Sequence, residues 1–179
     1  FGNTLLLSTL VLLTTTVFGV PLAYILARYR HRGKTVFTAL ILLPIVLPAF
    51  AGVFAFIIFF GKWGTVNLLL MEIGLIEKPL NLIYGYHGLV FIQSLHMLPF
   101  IVLGLSAGFT NIDPSFEEAA EVEGASGFRR FFTVTLPLCT PSYLAGAVLV
   151  FLWPFTDWLT PLILGQVDFL PSVSYINIS

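Results

Sequence analysis

Four long apolar runs leave this chain few folds to choose from. They cover roughly residues 4–27, 36–60, 88–109 and 141–164, and Asp157 is the one Asp, Glu, Lys or Arg inside any of them. Each is long enough to cross the ~30 Å hydrocarbon core of a bilayer, which takes about 20 helical residues at a rise of about 1.5 Å each. In that core the backbone must satisfy its own hydrogen bonds, which leaves helices or a closed barrel. A barrel needs short segments of alternating polarity, and these runs are continuous. A mean hydropathy of +0.98 with 9% charged residues agrees. The expected fold class is an all-α polytopic membrane protein, a single transmembrane domain over residues 1–179.

The connections set orientation and exclude partners. Arg28, Arg30, Arg32 and Lys34 follow the first run and Arg129 and Arg130 the third, whereas Lys62 and Lys78 lie between the second and third. That asymmetry puts the first and third connections on the cytoplasmic side. A formal net charge of −1 gives no reason to expect a nucleic-acid partner. The single cysteine, Cys139, excludes an internal disulfide framework and a multi-cysteine metal site, and no metal or other cofactor is expected. The chain has no initiator Met and no signal-peptide pattern, and is expected to be a fragment of a longer protein.

Three short motifs suggest other chemistry. "RGKT" at 32–35 ends like a phosphate-binding loop, but the glycine required five residues before Gly33 is Arg28, and an apolar run precedes it instead of a strand. "GASG" at 124–127 matches a signature of intramembrane serine proteases. Ser126, however, sits in a charged stretch, thirty residues after His96, the one histidine within a run. No His-Glu-x-x-His occurs, which excludes the usual membrane metalloprotease. "GLSAG" at 104–108 spaces two glycines for close helix contact, within this subunit or across a dimer.

Polar groups inside the runs point to a pathway or to packing. Gln93, Ser94 and His96 interrupt the third run, and Asp157 lies late in the fourth. A charge within a span costs roughly 2.5–3.5 kcal/mol on insertion scales, so it faces a cavity or a partner. For Asp157 two readings stand, an interfacial cap near the outer surface or a wall of a solute pathway. For His96 they are a hydrogen-bonded packing residue or that same pathway, with Gln93 as the third member. Pro21, Pro44, Pro48, Pro99 and Pro154 invite kinks in or beside the spans.

Charge is gathered instead into "EEAAEVEGASGFRRFFTVTLP", residues 117–137, with four of the nine acidic and two of the eight basic residues. Asp113 and Pro114 open this stretch like a helix start. At about 100° per residue, Phe116, Ala119, Ala120 and Glu123 share one face, and Glu117, Glu118 and Glu121 the opposite one. Gly124 suits the end of that helix. A second short helix follows with Ser126 as N-cap, placing Phe128, Phe131 and Phe132 on one side and Arg129, Arg130 and Thr133 on the other. A helix lying on anionic lipid should be rich in Lys and Arg. The first half holds four glutamates and no base, so a protein partner is expected.

These residues resemble the inner-membrane permease subunits of bacterial binding-protein-dependent ABC importers. The loop of that family reads Glu-Ala-Ala, three residues, Gly, and later a hydrophobic residue, any residue, Leu-Pro. Glu118, Ala119 and Ala120 match its opening, Gly124 its glycine and Ala125 the residue after. Phe131 or Phe132 fits the aromatic, and Val134, Leu136 and Pro137 the close; Glu123 stands where the family more often has Asp. "LPIVLPAF" resembles the family's proline-containing second span, and "FFGKWGTVN" and "FTDWLTPLILG" look most like permeases for iron(III), phosphonate compounds or polyamines.

The resemblance implies a type I ABC importer permease core in the bacterial inner membrane, with four of the expected five transmembrane helices and a cytoplasmic coupling helix in loop 113–137. It implies that Glu118, Ala119, Ala120, Gly124, Ala125, Leu136 and Pro137 couple to cytoplasmic ABC ATPase subunits. A soluble substrate-binding protein would deliver solute at the outer face, and a second permease core, identical, homologous or fused, would complete the pathway. The chain itself would not be an enzyme. The alternatives are a gradient-driven secondary transporter, for which the paired intramembrane charges and internal repeats are missing here, and a protease built on Ser126.

Overall fold

The computed structural model describes residues 1–29, 33–46, 49–165, 168–169, 172 and 176. Their helices run in the order α1 (Gly2–Arg28), α2 (Lys34–Val46), α3 (Ala49–Phe60), α4 (Thr65–Glu72), α5 (Tyr86–Asn111), α6 (Pro114–Val122) and α7 (Gly127–Arg130). A π-helical turn (Phe131–Thr135) then leads into α8 (Leu136–Leu138), α9 (Thr140–Thr156) and α10 (Leu159–Ile163). No strand occurs among the described residues. The all-α expectation holds.

Helix α1 is apolar on every side, so polarity cannot select its inner face. Size selects it. Its buried residues, Thr4, Leu7, Ser8, Val11, Thr15, Gly19, Ala23 and Leu26, recur mostly every three or four positions and include five small ones, while Leu6, Leu13, Val17 and Phe18 face outward. Lipid tails solvate a leucine as well as a protein core does, so helices associate where small side chains let backbones approach. At Gly19 the approach is so close that a Cβ would stand 2.7 Å from Ile101 Cγ2. Thr15 Oγ1 donates to Val11 O at 2.7 Å within α1, and Ser106 Oγ donates across from α5 to Ala23 O at 3.2 Å.

Helix α5 lies at the centre, with α1, α2, α3 and α9 against it. On its α9 side, Gly104 and Gly108 admit Ser142: an added Cβ would sit 2.9 Å from Ser142 O at Gly104 and 2.9 Å from Ser142 Cβ at Gly108. Gly146 of α9 returns the contact: a Cβ added there would stand 2.8 Å from Phe100 O. The glycine pair of "GLSAG" therefore serves packing within this subunit.

One of the expected spans is divided. Stretch 36–60 holds α2 and α3; Leu47 and Pro48 between them, including one proline expected to kink the span, lie outside the described residues. Stretch 141–164 breaks at Asp157, which has extended backbone (φ −83°, ψ 93°) between α9 and α10. Its carboxylate Oδ1 accepts the Thr160 N–H at 3.1 Å, a side-chain substitute for a helical carbonyl that starts the new helix. Among the described residues, three helical stretches, Gly2–Arg28, Phe50–Glu72 (α3 followed through the turn at 61–64 by α4) and Tyr86–Asn111, are long and apolar enough to cross a membrane. A fourth crossing results if Gly127–Leu138 and Thr140–Thr156, bent by 70°, make one span.

Between α3 and α5 the chain turns on Asn67, which is fully buried. Its Nδ2 donates to Gly61 O at 2.8 Å and Leu80 O at 2.9 Å, and its Oδ1 accepts from Leu80 N at 2.8 Å. Asn67→Leu leaves those groups without their partner, at a cost of about 2–4 kcal/mol. The expected result is rapid nicking by a glutamate-specific protease in detergent, since Glu72 and Glu77 fall inside the segment held by Asn67. Unchanged resistance would show that the turn holds without it.

Candidate functional site

Two places draw the candidate residues together. The first is the charged loop. Asp113 Oδ1 accepts the Ser115 N–H at 2.9 Å, and Pro114 fills the first turn, where a missing N–H is harmless. That backbone hydrogen bond holds the Asp113 carboxyl below its usual range. The cap is therefore present above the unfolded carboxyl's pKa and is lost as pH falls through the lower folded value.

Helix α6 ends in a Schellman motif. Gly124 N donates to Glu121 O and Ala125 N to Ala120 O, both at 2.9 Å, with Gly124 at φ +82°. Ser126 stands at the N-cap position of α7, but its side chain makes no cap hydrogen bond.

The expected division of α6 into two faces is partly overturned. Phe116, Ala119 and Glu123 face out, joined by Glu118 and Val122, which is 89% exposed; Ala120 and Glu117 turn toward the body of the protein. Glu117 turns inward because it has partners there. Arg28, at the end of α1, forms an ion pair with Glu117 Oε1, and Thr135 Oγ1 in the π turn donates to the same oxygen at 2.9 Å. Arg130 Nη1 pairs with Glu121 Oε2 at 2.7 Å and closes the loop on itself.

Nor do the three phenylalanines share one side. Phe131 packs inward, edge-on to Tyr24 of α1 at 5.1 Å between ring centroids and 6.1 Å from Phe109 of α5. Phe128 and Phe132 remain exposed, 4.8 Å apart. The π turn carries an extra residue per turn and so shifts the register expected of an α-helix. Leu136 and Pro137 lie in α8, half-buried and exposed respectively. Sequence reasoning missed Glu117, Arg28 and Thr135 as a unit. Arg28 reads as one of several topology-setting bases, and no local signal links it to a carboxylate 89 residues away. Of those bases, Arg30 and Arg32 lie outside the described residues.

The second place is a cavity of about 260 Å³ between α2, α3, α5, α9 and α10, walled in part by Gln93, His96, Trp153 and Asp157. All three pathway candidates, Gln93, His96 and Asp157, border it, whereas Ser94 does not. Gln93 Nε2 donates to Asp157 Oδ2 at 2.9 Å; a carboxylate only accepts, so the amide nitrogen must face it. Gln93 Oε1 is then buried without a donor. The His96 ring lies 5.2 Å from that of Trp153, inclined by 37°. Asp157 both caps α10 and borders the cavity, and His96 both packs on Trp153 and borders it.

The other chemistries find no geometry. Ser126 is not among the residues that share the cavity with His96. Gly33 and Lys34 of "RGKT" stand at the start of α2, and no strand precedes them among the described residues. Among the described residues, no group of three or more His, Cys, Asp or Glu could hold a metal ion.

Comparison with known proteins agrees with this architecture. Residues 19–177 match the family described as "Binding-protein-dependent transport system inner membrane component". The chain is 31% identical over 179 residues to a ferric transport system permease protein of Actinobacillus pleuropneumoniae, covering 99% of this chain and 26% of that protein. It is 34% identical over 149 residues to a molybdenum transport system permease protein of Haemophilus influenzae, covering 81% of this chain and 63% of the relative. A spermidine/putrescine transport system permease protein of the same species is 27% identical over 150 residues, 84% of this chain and 52% of that one. Thus the chain spans between about a quarter and two thirds of the length of these relatives. Its fold matches a crystal structure of a bacterial ABC transporter involved in the import of the acidic polysaccharide alginate, with a TM-score of 0.75 and 22% identity over 97% of this chain and 65% of the other.

Proposed function

Since this chain belongs to the family of binding-protein-dependent transport system inner membrane components, we propose that it forms a solute-passing core in the bacterial inner membrane and is driven through residues 113–137 by cytoplasmic ABC ATPase subunits. The observation that carries the proposal is the build of the loop. A nine-residue helix, capped at both ends by backbone and side-chain hydrogen bonds, presents Phe116, Ala119 and Val122 outward. Its inner side is tied by Glu117 to α1 and to the turn that leads into α9.

A small residue between two larger apolar ones suits a helix that enters a groove on a partner. Force applied to it reaches α1 through Arg28 and α9 through Thr135. Glu118, Ala119, Gly124 and Ala125 lie at or beside the docking face. Ala120, Leu136 and Pro137 support it from behind. Gln93, His96 and Asp157 line the pathway, a soluble binding protein delivers the solute, and a second core completes the channel. The chain carries out no chemistry of its own, because hydrolysis belongs to the ATPase. The solute falls among iron(III), phosphonate and polyamine compounds.

The test is retention of the ATPase by the tagged full-length parent extracted in mild detergent. Wild type is expected to bring the ATPase down, and Ala119→Trp, which places an indole where the face must be small, to lose it about tenfold, or about 1.4 kcal/mol. Membrane insertion should be unaffected, because Ala119 is exposed. Equal retention by the variant would remove the docking role from this face.

A further inference from the structure

We propose that the cavity bordered by Gln93, Trp153 and Asp157 is a transit site for an organic ammonium ion, so that the solute is an aliphatic amine cation, not an oxyanion or a bare metal ion. The inference rests on the pathway reading of these residues and adds the chemical class of what passes.

Charge comes first. Asp157 is 8% exposed, and both its oxygens are held by neutral donors, the Gln93 amide and the Thr160 N–H. No Lys or Arg borders the cavity among the described residues, and His96 makes no ion pair with Asp157. A carboxylate in an apolar wall without a counter-charge favours a cation beside it.

Hydrogen bonding points the same way. Gln93 is 1% exposed and its Oε1 is a buried acceptor with no donor, a deficit that an N–H group from a ligand would fill. The remaining wall is largely apolar and includes the aromatic side chains of Phe56 and Trp153, residue types whose ring faces attract cations and whose apolar surface packs against methylene groups.

An oxyanion would need several donors, and it would meet the Asp157 charge instead. A bare metal ion would need several carboxylate or imidazole ligands, and the described residues bring no group of three together. An alkyl ammonium needs one carboxylate, a neutral acceptor and an aromatic wall, which is the set present.

The test uses a cysteine at Gly52, which borders the cavity and where an added Cβ meets nothing within 4 Å. The assembled transporter of the full-length parent, in a background lacking other cysteines, is treated with two methanethiosulfonates, one carrying trimethylammonium and one carrying sulfonate. Each rate is normalised to that reagent's rate with a free thiol in solution. The cationic reagent is expected to react about tenfold faster than the anionic one, and spermidine, but not molybdate, to protect the cysteine. Asp157→Asn should bring the two rates together. That variant keeps its fold, because the Asn oxygen can still accept from Thr160 N and its amide can donate to a flipped Gln93. Labelling that favours the sulfonate reagent, or protection by molybdate alone, would overturn the ammonium class and leave the pathway standing. No labelling by either reagent, with and without ATP, would overturn both.

Discussion

Gly124→Val is expected to abolish solute uptake and retention of the ATPase, with the chain still inserted at the wild-type level. The reason is backbone conformation and not space. Gly124 sits at φ +82°, and a Cβ added there meets nothing within 4 Å. A left-handed backbone costs an L-residue roughly 1–2 kcal/mol, more for a β-branched one. The turn is held by the two hydrogen bonds from Gly124 N and Ala125 N to the last carbonyls of α6. Helix α6 has nine residues and no buried ones, so its own packing offers little to offset the strain. With valine the turn opens, the end of α6 frays and α7 leaves in another direction.

Asparagine is the informative control, since it enters the left-handed region more readily than other side chains. Gly124→Asn should keep most of the uptake. Normal transport by the valine variant would remove the turn from the mechanism. An asparagine variant as inactive as valine would show instead that the partner needs a bare backbone at this point.

Arg28→Glu is expected to reduce uptake at least tenfold, and Glu117→Arg likewise, with much of the activity restored when both are made together. The pair joins the end of α1 to the inner side of α6, and its side chains are 28% and 17% exposed. A charge-assisted hydrogen bond of this kind contributes about 1–2 kcal/mol after discounting for partial exposure to solvent. Each single reversal also sets two like charges together, and Glu117→Arg further strands the Thr135 hydroxyl, which donates to Glu117. Orientation in the membrane should not change, because Arg30, Arg32 and Lys34 still follow the first span. Rescue in the double variant, measured as uptake per inserted transporter, isolates the interaction. Singles that are inactive and a double that stays so would mean that each residue meets something other than its partner.

Much of this was open to sequence reasoning wherever the cause is local. Asp113, Pro114 and Gly124 mark the two ends of α6 because capping and left-handed turns involve residues within a few positions of one another. The break at Asp157 had a local cause too, a carboxylate three residues before an available N–H, but it was hidden inside an apolar run of full spanning length. The facing of α6 was harder. Counting at 100° per residue put Glu117 among the solvent-side acids, and its inward turn follows from Arg28 and Thr135, far off in the chain.

Taken alone, the sequence determined that the chain is helical and crosses a membrane, since long apolar runs in a medium without water must satisfy their own backbone. It determined as well where the charged loop begins and turns. Only the tertiary structure decided which side of α1 faces inward, that Gly104 and Gly108 receive Ser142, and that Gln93, His96 and Asp157 border one cavity. The physical reason is the same in each case. In lipid the hydrophobic effect does not rank the faces of an apolar helix, so close backbone approach and the pairing of scarce polar groups choose them, and both depend on residues distant in sequence.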